Sequence, residues 1–169
     1  PWFDVVALAA SSRNKGKTYA EACEGRWKMT VPMPDKYKDM VMYDATADAE
    51  EIASKVDFIF CAVDMKKDEI RALEEKYAKR IHEIMLECPV CSNNSAHRGT
   101  PDVPMIIPEI NADHAEIIPA QRKRLGTKRG FIAVKSNCSI QSYVPALSAL
   151  MDFEPTEVSV CTYQAISGA

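Results

Sequence analysis

Short apolar runs without polar alternation, each followed by a polar loop and then by residues of helical period, constrain this chain more than any other feature. Asp4-Val5-Val6-Ala7-Leu8-Ala9-Ala10 is the first, and it feeds Ser11-Ser12-Arg13-Asn14-Lys15-Gly16-Lys17. Val56-Asp57-Phe58-Ile59-Phe60-Cys61-Ala62-Val63 is the second. Such runs suit strands covered on both faces, as in a parallel sheet. Between them Met40-Val41-Met42-Tyr43 predicts a small strand and residues 47–55 a short helix. Residues 66–85 predict one long amphipathic helix, because Ile70, Leu73, Tyr77, Ile81 and Ile84 or Met85 keep three- and four-residue steps. Glu74 or Glu75 can face Lys79 across one of its turns. Val90, Met105-Ile106-Ile107, residues 131–134 and residues 158–163 supply further strands, with a helical stretch around residues 113–118. Strands alternating with helices predict an α/β fold whose right-handed crossovers bring the loops after the strands to one edge. The loops 11–17, 61–64 and 92–98 all follow strands and are predicted to meet one ligand there.

The chain has 169 residues, 47% of them apolar and 27% charged, with a net charge of −3. That is the composition of an ordinary globular protein of one domain, or one and a part. The most basic stretch, Arg122-Lys123-Arg124 with Lys128 and Arg129, reads as a solvated face, so no nucleic-acid partner is expected. No run has the length of a membrane span and Pro1-Trp2-Phe3-Asp4 is not a secretory leader, so the expectation is a cytoplasmic protein without membrane partners. The six cysteines read as free thiols. Cys88-Pro89-Val90-Cys91 is a CxxC, but no second pair exists and His82 and His97 lack zinc-finger spacing, so it reads as two packed thiols and no metal is expected.

Cys138 stands apart. Gly130-Phe131-Ile132-Ala133-Val134 predicts a buried strand, and Ile140, Val144, Leu147 and Met151 recur at helical spacing, so the cysteine falls at the turn between them. Helix starts favour thiolate over thiol and lower a cysteine pKa from about 8.5 toward neutrality. A thiolate there would add readily to a carbonyl carbon. Pro145 is expected to kink the following helix or limit it to a couple of turns. At the other end, Ser11-Ser12-Arg13 offers hydroxyl and guanidinium donors with no acid in the loop. In a dinucleotide-binding fold that set suits the additional ribose phosphate of NADP.

Four motifs in order, Leu8-Ala9-Ala10-Ser11-Ser12-Arg13, Ser92-Asn93-Asn94-Ser95-Ala96-His97-Arg98, Ser136-Asn137-Cys138-Ser139 and Gln164-Ala165-Ile166-Ser167-Gly168-Ala169, resemble the aspartate-semialdehyde dehydrogenase family in its archaeal and fungal branch. The resemblance covers essentially the whole chain. It implies an α/β, Rossmann-type NAD(P)-binding parallel sheet, incomplete at its N-terminus. Residues 1–135 would be a partial NADP-binding domain and residues 136–169 the start of the catalytic and dimerisation α+β domain. The implied reaction is reversible: aspartate 4-semialdehyde, phosphate and NADP give aspartyl 4-phosphate through a cysteine thioester. Cys138 would be the nucleophile. Asn137 and Gln164 would hold the substrate, and Arg98 would grip phosphate. Ser11, Ser12, Arg13, Cys61, Ser167 and Gly168 would contact NADP, and the family forms homodimers or homotetramers.

The departures are equally specific. The glycine-rich phosphate turn has no counterpart here, and the acid/base histidine implied by the family does not correspond to His82, His97 or His114, all of which precede Cys138. The chain therefore reads as an internal fragment, inactive alone. Residues 81–86 read as a prolongation of the long helix. A related acyl-phosphate or acyl-CoA reductase is the alternative enzyme. The alternative from another class is a non-catalytic remnant that only associates with a partner chain.

Overall fold

A computed structural model describes residues 2–79 and 87–164. The first strand, β1 (Ala9–Ala10), is followed by a 3-10 turn at Ser12–Asn14 and by α1 (Tyr19–Ala22), which Thr18 and Glu21 close with a reciprocal capping box. After α2 (Asp35–Lys38), strand β2 (Tyr43–Asp44) pairs in parallel with β1. Helix α3 (Ala49–Lys55) buries Ala49 and Ile52, and β3 (Ile59–Cys61) leads into α4 (Lys67–Ala78). The later elements are β4 (Val90–Ser92), β5 (Met105–Ile106), α5 (Pro108–Asn111), a 3-10 segment at Ala112–Ile117, α6 (Ile118–Leu125), β6 (Ile132–Lys135) and α7 (Cys138–Ser148).

Among the described residues the strands form two sheets. β1 and β2 make one, and β3-β4-β6-β5 make the other, parallel throughout. Its register sets Cys61 level with Ser92, and Ser92 level with Val134. All carboxyl ends of this sheet therefore share an edge. One core serves both sheets: Ala45, Ala49 and Ile52 from the β2–α3 side join Leu73, Tyr77, Val90, Ile132 and Val134. Tyr77 is the polar tie across it, its hydroxyl donating to the Ala45 carbonyl at 2.6 Å. Full burial of each aliphatic side chain is worth about 1.5–3 kcal/mol. Gly130 fits against the end of α4 so closely that a Cβ would lie 2.0 Å from the Ala78 carbonyl oxygen. Only a residue without a side chain passes there.

Several expectations from the sequence need correction. The run 4–10 is not a fully buried strand: only Ala9–Ala10 is laddered, and Val5 and Val6 are 41% and 52% exposed. Among the described residues β2 is its single partner, which covers one edge and leaves the faces at its start open. β3 is likewise an edge strand, with Phe60 70% exposed and packed edge-on against Phe58. The long helix stops at Ala78, because Lys79 takes extended backbone angles, φ −82° and ψ 161°. Its expected prolongation over residues 81–86 lies outside the described residues. Residues 158–163 join neither ladder and are exposed, so the strand expected there does not form. Pro145 does not cut α7, which runs through it to Ser148. A proline removes one N–H bond and this helix buries no residue, so little packing resists the local adjustment.

Candidate functional site

The turn after β6 carries Ser136, Asn137 and Cys138. Ser136 is buried, whereas Asn137 and Cys138 are exposed. Asn137 is the N-cap of α7, its Oδ1 accepting from the Ser139 amide at 2.9 Å. The same oxygen lies 3.9 Å from Cys138 Sγ. Asn137 thus orients the first turn of the helix on which the sulfur stands, and its Nδ2 donates to no described residue. Cys138 opens α7 as predicted, at the carboxyl edge of the sheet.

Arg98 reaches the same edge. Its Nε donates to the Lys135 carbonyl, the last residue of β6, at 3.2 Å. The guanidinium is half-buried and also lines an open cleft of about 620 Å³ with Thr100, Pro104, Met105, His114 and Ile117. Arg98 therefore spans the distance from that cleft to the strand that delivers Cys138.

The loop bearing Arg98 is fastened at nearly every residue. The Asn93 amide donates to the Cys61 carbonyl at 2.7 Å, continuing the β3–β4 ladder. Ser92 Oγ donates to Glu74 Oε1 at 2.5 Å and accepts from the Asn94 amide at 3.0 Å. Asn94 Nδ2 reaches the same Glu74 oxygen at 3.1 Å and Cys61 Sγ at 3.5 Å. Arg71, one turn earlier on α4, donates to the Ala96 carbonyl at 2.8 Å. His97 is fully buried with Nδ1 at 3.1 Å from Thr100 Oγ1, and its Nε2 faces Glu74 Oε2 at 4.0 Å. Burial holds the imidazole pKa down, opposed by the Glu74 charge. A neutral ring whose Nδ1 accepts the Thr100 hydroxyl carries its hydrogen on Nε2, toward the carboxylate.

Cys61, expected against the cofactor, is buried at the end of β3. Burial first, then the Glu74 charge, pushes its pKa up to about 12, which keeps it a neutral thiol in contact with Asn94. The sheet register thus gathers Cys61, Arg98, Asn137 and Cys138 at one edge. Ser11, Ser12 and Arg13 lie on the turn after β1, all exposed, and the Arg13 guanidinium pairs with no acid among the described residues. Lys15 is committed elsewhere, to Asp48 at 2.6 Å. A hydroxyl-rich turn with an unspent guanidinium fits the additional phosphate of NADP. Gln164 is exposed on the irregular segment that follows α7. Ser167 and Gly168 lie outside the described residues.

Of the two acids predicted to face Lys79, Glu75 does so, and the burial of Glu74 was not singled out from the sequence. Its neighbour Glu75 makes the expected surface pair with Lys79, Oε2 to Nζ at 2.5 Å, while Glu74 is turned inward with no exposed surface. The signal was present: Ile70, Leu73, Glu74 and Tyr77 occupy one face at steps of three, one and three. An acid on the apolar stripe of a helix needs a buried partner.

Comparison with known proteins gives a consistent result. The family described as semialdehyde dehydrogenase, NAD binding domain, matches residues 1–118. The aspartate-semialdehyde dehydrogenase of Aspergillus fumigatus is 36% identical over 171 residues, spanning all of this chain and 44% of that protein. Those of Cryptococcus neoformans and Archaeoglobus fulgidus are 38% and 37% identical, again over all of this chain and over 44% and 45% of theirs. Among solved structures, the aspartate semialdehyde dehydrogenase of Candida albicans with NADP superposes with a TM-score of 0.70 at 29% identity, covering 92% of this chain and 41% of that one. The chain thus spans less than half the length of the relatives it matches.

Proposed function

The chain belongs to the semialdehyde dehydrogenase family through its NAD-binding domain, and from that premise we propose that the whole protein converts aspartate 4-semialdehyde and phosphate to aspartyl 4-phosphate with NADP. The relatives named for that enzyme align over the full chain at 36–38% identity, and the position of Cys138 at the head of α7 is the observation that carries the chemistry. Residues 1–135 act as the cofactor-binding part and residues 136–169 begin the catalytic part. The protein works as a cytoplasmic homo-oligomer.

Cys138 adds as thiolate to the aldehyde carbon, forming a thiohemiacetal. NADP, when bound, would supply the hydride-acceptor chemistry at the carbon that Cys138 holds. The acyl group then stays on the sulfur as a thioester, which splits one demanding oxidation and phosphorylation into two easier steps. Phosphate attacks the thioester carbon, the C–S bond breaks, and the sulfur returns as thiolate. Arg98 holds that phosphate: a guanidinium presents two parallel donors to an oxyanion where lysine presents a point charge. Asn137 orients the sulfur through its cap and offers Nδ2 to the reacting carbonyl, with Gln164 on the substrate. Ser11, Ser12 and Arg13 take the ribose phosphate of NADP, and Cys61, Ser167 and Gly168 belong to the cofactor-binding set.

The assay is NADPH formation by the whole protein with aspartate 4-semialdehyde, with and without phosphate. Phosphate-dependent turnover is expected, and Arg13→Glu is expected to cut the preference for NADP over NAD by at least about tenfold through lost attraction and added repulsion. Turnover that ignores phosphate contradicts the reaction. An unchanged cofactor preference removes Arg13 from the cofactor site.

A further inference from the structure

Arg98 holds its place through a loop that α4 grips from beneath. Two side chains one helical turn apart do this. Arg71 takes the Ala96 carbonyl at 2.8 Å, and Glu74 takes the Ser92 hydroxyl and the Asn94 amide at 2.5 and 3.1 Å. The second Glu74 oxygen, Oε2, has no accessible surface and no hydrogen-bond partner among the described residues, and it looks at His97 Nε2, in the same condition, across 4.0 Å. His97 immediately precedes Arg98. One carboxyl group therefore touches the loop where it leaves β4 and faces it again where it delivers the guanidinium.

We propose that Glu74 is a positioning residue for Arg98: its buried carboxylate sets the conformation of the loop 92–98 and so the place at which phosphate is bound. This rests on the phosphate-binding role given to Arg98 above. A buried acid that served stability alone would be replaceable by an apolar residue of similar volume, often at little cost. Here Oε1 is spent on the binding loop and Oε2 faces His97 of the same loop, while the carboxyl group also bears on the Cys61 thiol at the end of β3. Misplacing a binding group by about 1 Å can cost as much as 100-fold in rate.

The test compares Glu74→Ala, Glu74→Gln and Ser92→Ala in the whole protein. Glutamine keeps the acceptor oxygen for Ser92 and Asn94, whereas alanine removes it. Ser92→Ala deletes the loop's own donor without opening a large cavity, and it decides the matter should Glu74→Ala fail to fold. Two readouts are taken. Hydrogen exchange at the Asn94 and Arg98 amides is expected to quicken in both alanine variants, with β6 unchanged. The phosphate KM is expected to rise about tenfold in Glu74→Ala and about threefold in Ser92→Ala, with NADP affinity held and Glu74→Gln within about twofold of the parent. Unchanged amide exchange overturns the inference whatever the activity, and so does quickened exchange with an unchanged phosphate KM. If the parent lacks phosphate-dependent turnover, the proposed reaction fails separately, and the exchange result still decides whether Glu74 holds the loop.

Discussion

The six cysteines of this chain divide by surroundings. Cys138 is exposed at the head of α7, whereas Cys61 and Cys88 are buried and hold their protons up to about 12 and about 11. Iodoacetamide at neutral pH should therefore label Cys138 and spare Cys61 and Cys88, as read by peptide mass mapping; equal labelling of all three would contradict the burial. The same shifts bear on stability. An unfolded thiol ionises near 9.0, so above that pH unfolding releases protons that the folded chain retains. The contribution of the two thiols is complete below pH 9.0 and is lost as pH rises toward 11 and 12. Denaturant midpoints measured across this range should fall, and should fall less in Cys61→Ala relative to its own value at neutral pH. At this scale the sequence was most legible in position: Cys138 opens α7, Arg98 reaches the same sheet edge, and Ser11-Ser12-Arg13 forms the turn after β1. It was least legible at Glu74 and Gln121, whose side chains point inward against the habit of their residue types, a choice made by partners distant in the chain.

Elements were legible in kind and less so in extent. α3 and α4 begin within two residues of their predicted starts, but α4 ends at Ala78 and residues 158–163 make no strand. Strands depend on partners, and periodicity does not say whether a partner is present. Gln121 shows the converse, a side chain standing in for a strand. β5 pairs with β6 only at Val134 and Lys135, and beside Ile132 the buried Gln121 side chain completes the edge. It accepts from the Ile132 amide at 2.6 Å and donates to the Ile132 and Asp102 carbonyls, each at 2.9 Å. Gln121→Ala should destabilise the fold by about 3 kcal/mol, because it strands a buried amide and two carbonyls. A shift below about 1 kcal/mol in urea unfolding would mean that those groups find other partners.

Across the whole molecule, a parallel sheet gathers side chains from distant parts of the sequence because every strand ends at the same edge. Cys61, Arg98 and Cys138, far apart in sequence, come to one edge of the sheet through register and through the Arg98 bond to Lys135. Loops 61–64 and 92–98 share that edge as the order of apolar runs and loops predicts, whereas loop 11–17 follows a strand of the other sheet. The division into two sheets, and the exposed faces at β1 and β3, depend on tertiary pairing that no local pattern encodes. The central claim is covalent chemistry at Cys138. It is tested most directly by exposing the whole protein to aspartate 4-semialdehyde and NADP without phosphate and mapping any acyl adduct by mass spectrometry. An acyl group on Cys138 that is discharged when phosphate is added is the expected result; an unmodified Cys138 alongside formed NADPH would contradict covalent chemistry there.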